Sequence, residues 1–167
     1  TISFLSPSEV IIILKPIRVD QRVSKVLFIV NKHAGIGYQT KVEGRILDTC
    51  EAHNVECTIE FTSGRGHAIE LARSANSLGF QQVVAVGGDG TSNEVAQGLI
   101  HTGIPMGIIP RGSGNGLARH LGIPLKTSDA ISQLFQSEIL SIDTFTVNGK
   151  LSLNVSGIGF DGHVTNL

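Results

Sequence analysis

At 167 residues, 41% of them hydrophobic and 16% charged, the chain is long enough for one well-buried core and too apolar to be disordered. Its 13 basic and 14 acidic side chains nearly cancel, which argues against a nucleic-acid surface or a strongly charged membrane patch. No apolar stretch reaches bilayer-spanning length and the start lacks the pattern of a secretory signal, so a cytoplasmic protein is expected.

In chain order, residues 1–24 form an N-terminal arm or edge strand around Val10–Leu14, with no assigned role. As an exposed strand it could pair with another chain, although nothing fixes an oligomeric state. From Lys25 short apolar runs alternate with segments of helical period, the pattern of a parallel sheet wound by crossover helices. Strands are expected at Val26–Val30, Val55–Phe61, Val83–Val86 and Met106–Ile109. Val42, Ile46 and Cys50 predict the buried stripe of a helix over Tyr38–His53; Ala68, Ala72 and Ala75 line a second, and Val95 and Leu99 a third. Helical patterns recur around Leu117 and Leu121, and behind Ser128 as a candidate N-cap. Cys50 and Cys57, the only cysteines, read as reduced packing residues. From Ile139 the character changes to two strands, Ile139–Val147 and Leu151–Val155, joined at the turn-forming Asn148–Gly149. The expected division is therefore an α/β domain over residues 25–137, with residues 138–167 opening a second, β-rich unit.

In an open parallel sheet, ligands bind beyond the carboxyl ends of the strands. Those ends carry Asn31, Thr62, Gly87–Thr91 and Pro110–Gly116. Gly-Gly-Asp-Gly-Thr between a strand and a helix supplies the parts needed to aim backbone N–H groups at a phosphate. Asp89, itself an anion, would act through Mg²⁺ or accept a proton or hydrogen bond from an attacking hydroxyl. Thr91 and Glu94 equally match the T-x-x-E capping box, so they either close the helix start or touch ligand. In the second glycine loop, Arg111–Gly116, Ser113 and Asn115 can donate hydrogen bonds to phosphate or ribose oxygens, and Arg111 could approach phosphate. Neither loop is a Walker motif or a dinucleotide fingerprint, the six histidines have no metal-ligand spacing, and Gly-Ser-Gly lacks the nucleophile elbow of a hydrolase.

These residues, in this order, resemble the catalytic domain of diacylglycerol kinases, sphingosine kinases and their bacterial lipid-kinase relatives over about residues 25–162. Gly87–Val95 reproduces the family's G-G-D-G-T-x-N-E-V; Thr62 with Gly66-His67-Ala68 and Asn31 with Gly35 match flanking elements, although Lys32 stands where the family has Pro. Ser113 and Gly116 replace Thr and Asp of the usual bacterial loop, a variant closer to sphingosine or long-chain-base kinases. The resemblance implies a three-layer α/β/α fold like that of phosphofructokinase and NAD kinase, and transfer of the γ-phosphate of Mg-ATP to a lipid hydroxyl presented at a membrane surface. It implies nucleotide contacts from Thr62, Gly87, Gly88, Asp89, Gly90, Thr91, Ser92, Asn93 and Ser113, with Asn31, Glu94, Gly112 and Asn115 in the same expected set. Asp89 is the expected catalytic and Mg²⁺-binding residue. A second, β-rich domain would complete the cleft, so the sequence reads as part of a larger enzyme. The rival readings are an NAD kinase or phosphofructokinase-like enzyme, or an inactive nucleotide-binding regulatory module.

Overall fold

The computed structural model describes residues 8–13, 23–35, 41–136, 139–147 and 150–153. The expected turn at Asn148–Gly149, the start of the first helix near Tyr38 and the end of the last strand lie outside these residues. Seven strands, β1 (Ser8–Ile13), β2 (Lys25–Val30), β3 (Glu56–Phe61), β4 (Gln82–Gly87), β5 (Met106–Pro110), β6 (Ile139–Val147) and β7 (Lys150–Ser152), form one sheet in the order β3-β2-β4-β5-β1-β6-β7. β2, β3, β4, β5 and β1 are joined by parallel pairings; β6 runs antiparallel to β1, and β7 to β6.

The central strands read as unbroken apolar runs because helices cover both of their faces. Val26, Phe28 and Val30 of β2 and Val84 and Val86 of β4 pack against α1 (Lys41–Ala52) and α5 (Thr127–Gln133). Leu27, Ile29, Val83 and Ala85 face the other way, toward α2 (His67–Ser74), α3 (Asp89–Leu99) and α4 (Gly116–His120). The α/β/α layering is thus written into the period-two alternation of two strands. α2 and α3 approach closely at Gly98, where a Cβ would lie 2.6 Å from the Ala72 Cβ and from the Ile69 carbonyl oxygen. Cys50 and Cys57 are free thiols; burial, with Cys57 alongside, pushes the Cys50 thiol up to about 12, which leaves it unreactive at neutral pH. No helix among the described residues is long and apolar enough to cross a membrane.

Three expectations are corrected. β1 is not an edge strand: it lies between β5 and β6, paired with β6 from Ser8↔Thr144 to Ile13↔Ile139. Ser128 is not an N-cap, because α5 begins one residue earlier with Lys126 in that position; the Ser128 hydroxyl is hydrogen-bonded to the Asp129 carboxylate at 2.8 Å. Thr91 does not start its helix either, since α3 begins at Asp89 behind Gly88.

Candidate active site at the switch point of the sheet

The chain leaves β2 for β3 on one side and leaves β4 for β5 on the other. The carboxyl ends of β2 and β4 therefore flank the topological switch point, where an open sheet leaves a crevice. Asn31 stands at the first end and Gly87 at the second. The Asn31 backbone N–H donates to the Val86 carbonyl at 3.0 Å, which holds the two ends together. Its side-chain oxygen accepts from the His33 N–H at 2.9 Å, and its side-chain nitrogen donates to the Thr91 hydroxyl at 3.2 Å. Thr62 lies at the end of the neighbouring β3, its N–H donating to the Val30 carbonyl at 3.0 Å.

α3 begins almost at once after β4. Gly88 is its extended N-cap with no side-chain cap, and the first helical bond runs from the Ser92 N–H to the Gly88 carbonyl at 3.0 Å. The N–H groups of Asp89, Gly90 and Thr91 therefore have no partner within the helix and form the positive end of its dipole. The glycines around them serve different purposes. Gly87 is required by Thr91, whose buried side chain fills the space that a Cβ would need. Gly88 and Gly112 are required by each other: a Cβ on Gly112 would lie 2.7 Å from the Gly88 Cα. At Gly90, exposed on the first turn, nothing lies within 4 Å of the Cβ position. Only there is the missing side chain left unexplained by packing, and only there does it leave room for a ligand to reach the backbone.

Asp89 holds the two glycine loops together. Its carboxylate accepts from the Gly116 N–H at 3.0 Å and the Leu117 N–H at 3.1 Å, the first two residues of α4. The nominal N-cap, Asn115, is left-handed at φ 52° and turns its amide back on its own loop. It accepts from the Gly112 N–H and donates to the Gly112 carbonyl, both at 2.7 Å. The Arg111 N–H donates to the Gly87 carbonyl at 2.7 Å, and the Arg119 side chain pins the Gly114 carbonyl at 2.9 Å. Gly35, at φ 76°, comes so close to the Arg111 carbonyl that no side chain fits between them. Ser113 is exposed at the tip of this loop. Lys32, in the position where the resembled family has Pro, places its ammonium 3.7 Å from the centre of the Phe61 ring beside the strand ends.

The structure thus gathers Asn31, Gly87, Gly88, Asp89, Gly90, Thr91, Gly112 and Asn115 into one connected rim, with Thr62 on the adjacent strand and Ser113 at the loop tip. Three residues of the expected nucleotide set are used differently. Ser92 is buried. Both side-chain atoms of Asn93 are bonded to β7 and the residue after it: its nitrogen donates to the Leu151 carbonyl at 3.0 Å and its oxygen accepts from the Leu153 N–H at 3.2 Å. Glu94 accepts from the Gly66 N–H at 2.9 Å, so it caps α2 rather than its own helix. His67 steadies that loop by accepting from the Ser63 N–H at 3.0 Å. The caps that Asp89 and Glu94 give to distant helices have no local sequence signal, being 27 and 28 residues from their donors.

Residues 25–147 match the family model described as "Diacylglycerol kinase catalytic domain". A relative named "Probable lipid kinase YegS-like" from Chromohalobacter salexigens is 30% identical over 84% of this chain and 45% of its own length. One of the same name from Pseudomonas aeruginosa is 39% identical over 66% of this chain and 37% of its own. Among solved structures, a candidate diacylglycerol kinase from Bacillus anthracis superposes with a TM-score of 0.70 at 31% identity, covering 78% of this chain and 48% of that one. The chain spans about half the length, or less, of the relatives it matches. With more than half of its residues inside the matching model, the chain belongs to the diacylglycerol kinase catalytic domain family.

Proposed function

We propose that this chain supplies the nucleotide-binding side of a lipid kinase that transfers the γ-phosphate of ATP to a lipid hydroxyl, of diacylglycerol or a sphingoid base, at a membrane surface. The observation that carries this reading is the start of α3: three N–H groups with no partner within the helix, a bare Gly90 and no side-chain cap, opening on the switch point of the sheet. Such an end attracts phosphate through both its donors and its dipole. In this reading Asn31, Thr62 and Ser113 with the 111–116 loop would line the crevice around the nucleotide.

Phosphoryl transfer is mostly positioning and charge neutralisation, so the rigid coupling of the two loops matters more than any single reactive side chain. Asp89 contributes to that coupling through the bonds it accepts from α4. A carboxylate has about four lone-pair positions, so roughly two remain for a hydrated cation or an acceptor hydroxyl. This fits Mg²⁺, which binds through one or two carboxylates together with phosphates and water, and which would neutralise charge on the transferred group. The Gly90 N–H and its neighbours would hold the phosphate oxygens, and the α3 dipole would favour charge accumulating there.

The test uses the full-length protein with labelled ATP against vesicles containing diacylglycerol or sphingoid bases, alongside NAD and fructose phosphate. Label in a lipid product is expected. Label only in NAD or the sugar phosphate would move the protein to the related kinases, and nucleotide binding with no product would make it a regulatory module.

A further inference from the structure

Asn93 is the fifth residue of α3, where an amide is a poorer helix former than alanine and serves no purpose within the helix itself. Its two hydrogen bonds reach the carbonyl of Leu151 and the N–H of Leu153, the groups that flank Ser152. A residue on a neighbouring strand would pair with the same two groups, so one side chain stands in for a strand at the edge of β7. The geometry restricts the residue type. Asp would set a carboxylate against the Leu151 carbonyl, a hydroxyl cannot span both groups, and an apolar side chain would leave both unmet.

Leu151 and Leu153 are buried in the cluster that contains Val95, Ala96 and Leu99 of α3. Apolar packing is non-directional and does not by itself fix where β7 lies on α3, whereas the two Asn93 bonds pin its backbone to one point of the helix. Asn93 also sits one turn beyond Gly90, about 5 Å along the helix axis. β7 is therefore anchored from the same two turns of helix whose first N–H groups have no partner within the helix.

We infer that Asn93 is a positioning residue: it anchors the paired strands β6 and β7 on α3 and so ties them to the turn proposed to bind phosphate. Its kinetic consequence rests on the phosphotransfer reading. Strands left loose beside the phosphates would misplace the reacting groups without removing any group that binds nucleotide.

The experiment compares the full-length protein with Asn93→Ala and Asn93→Asp. It measures hydrogen exchange at the Leu153 amide, ATP affinity, and labelled-phosphate transfer to diacylglycerol vesicles. Both variants are expected to exchange the Leu153 amide at least tenfold faster and to lose at least tenfold in turnover, with ATP affinity within about threefold of the parent. Unchanged exchange at Leu153 would overturn the inference, and so would ATP affinity and turnover falling in parallel, as general loss of fold would cause. If the parent phosphorylates no acceptor, the functional reading fails, while the Leu153 exchange still decides whether Asn93 anchors β7.

Discussion

Two helices start within a few ångströms of each other beside the crevice, and they are finished in opposite ways. α4 has its first two N–H groups taken by the Asp89 carboxylate, while α3 has no side-chain cap and leaves its first turn open. The sequence around each looks alike, a strand followed by a glycine-rich loop. The difference lies not in glycine content but in whether the first N–H groups are capped, and the proposed phosphate site rests on the helix start without a side-chain cap. The second loop is chiefly a brace: Gly112 packs against Gly88, Asn115 closes the loop on itself, and the Gly116 and Leu117 N–H groups beyond it are the partners of Asp89.

Three substitutions can break or sharpen this contrast. The largest loss of stability is expected for Gly112→Ala, whose new Cβ would meet the backbone at Gly88 and force the loops apart, at a cost of about 1–3 kcal/mol. Urea denaturation would measure this, and a midpoint equal to the parent's would mean that the loops are not braced against each other. Asp89→Asn is next. It keeps one acceptor but points an amide N–H at a backbone N–H, so the α4 cap weakens by roughly 1 kcal/mol, within the range for a lost N-cap. The fold is retained and turnover is lost; undiminished phosphate transfer by this variant would confine Asp89 to capping. Gly90→Ala should cost no stability and gain up to about 1 kcal/mol, since alanine suits a helix better and nothing crowds the site. Yet its methyl occupies the open approach to the N–H groups, so ATP binding measured by calorimetry should weaken at least tenfold. Parent-like affinity would place the phosphates elsewhere.

Much of the fold was legible because the central strands are buried on both faces, which turns Val26–Val30, Val83–Val86 and Met106–Ile109 into unbroken apolar runs. The helix stripe of Val42, Ile46 and Cys50 was equally plain. Helix starts were harder to read. A single residue separates β4 from α3, so the helix has already begun at Asp89 before the T-x-x-E pattern at Thr91 would start it. The motif also concealed a division of labour. Asn93 and Glu94 belong to the same nine-residue signature as Gly90, yet one bonds to β7 and the other caps α2. A conserved-looking string reads as one site, whereas side chains leave a helix in different directions and only the tertiary fold says what each one meets. β1 was legible as a strand but not in its place, because its main partner, β6, lies far along the chain and no local sequence signal names it.

That place matters for how the gene is divided. β1 supplies the hydrogen bonds on one side of β6 and lies against β5 on the other, so the C-terminal hairpin joins the parallel sheet through a segment from the opposite end of the chain. An expression boundary drawn at Lys25, where the family match begins, would remove it. The shortened product would expose two strands with unsatisfied backbone groups, a surface that invites self-association. A domain that expresses well therefore has to include Ser8–Ile13, and failure to express the excised match would say nothing about the proposed activity.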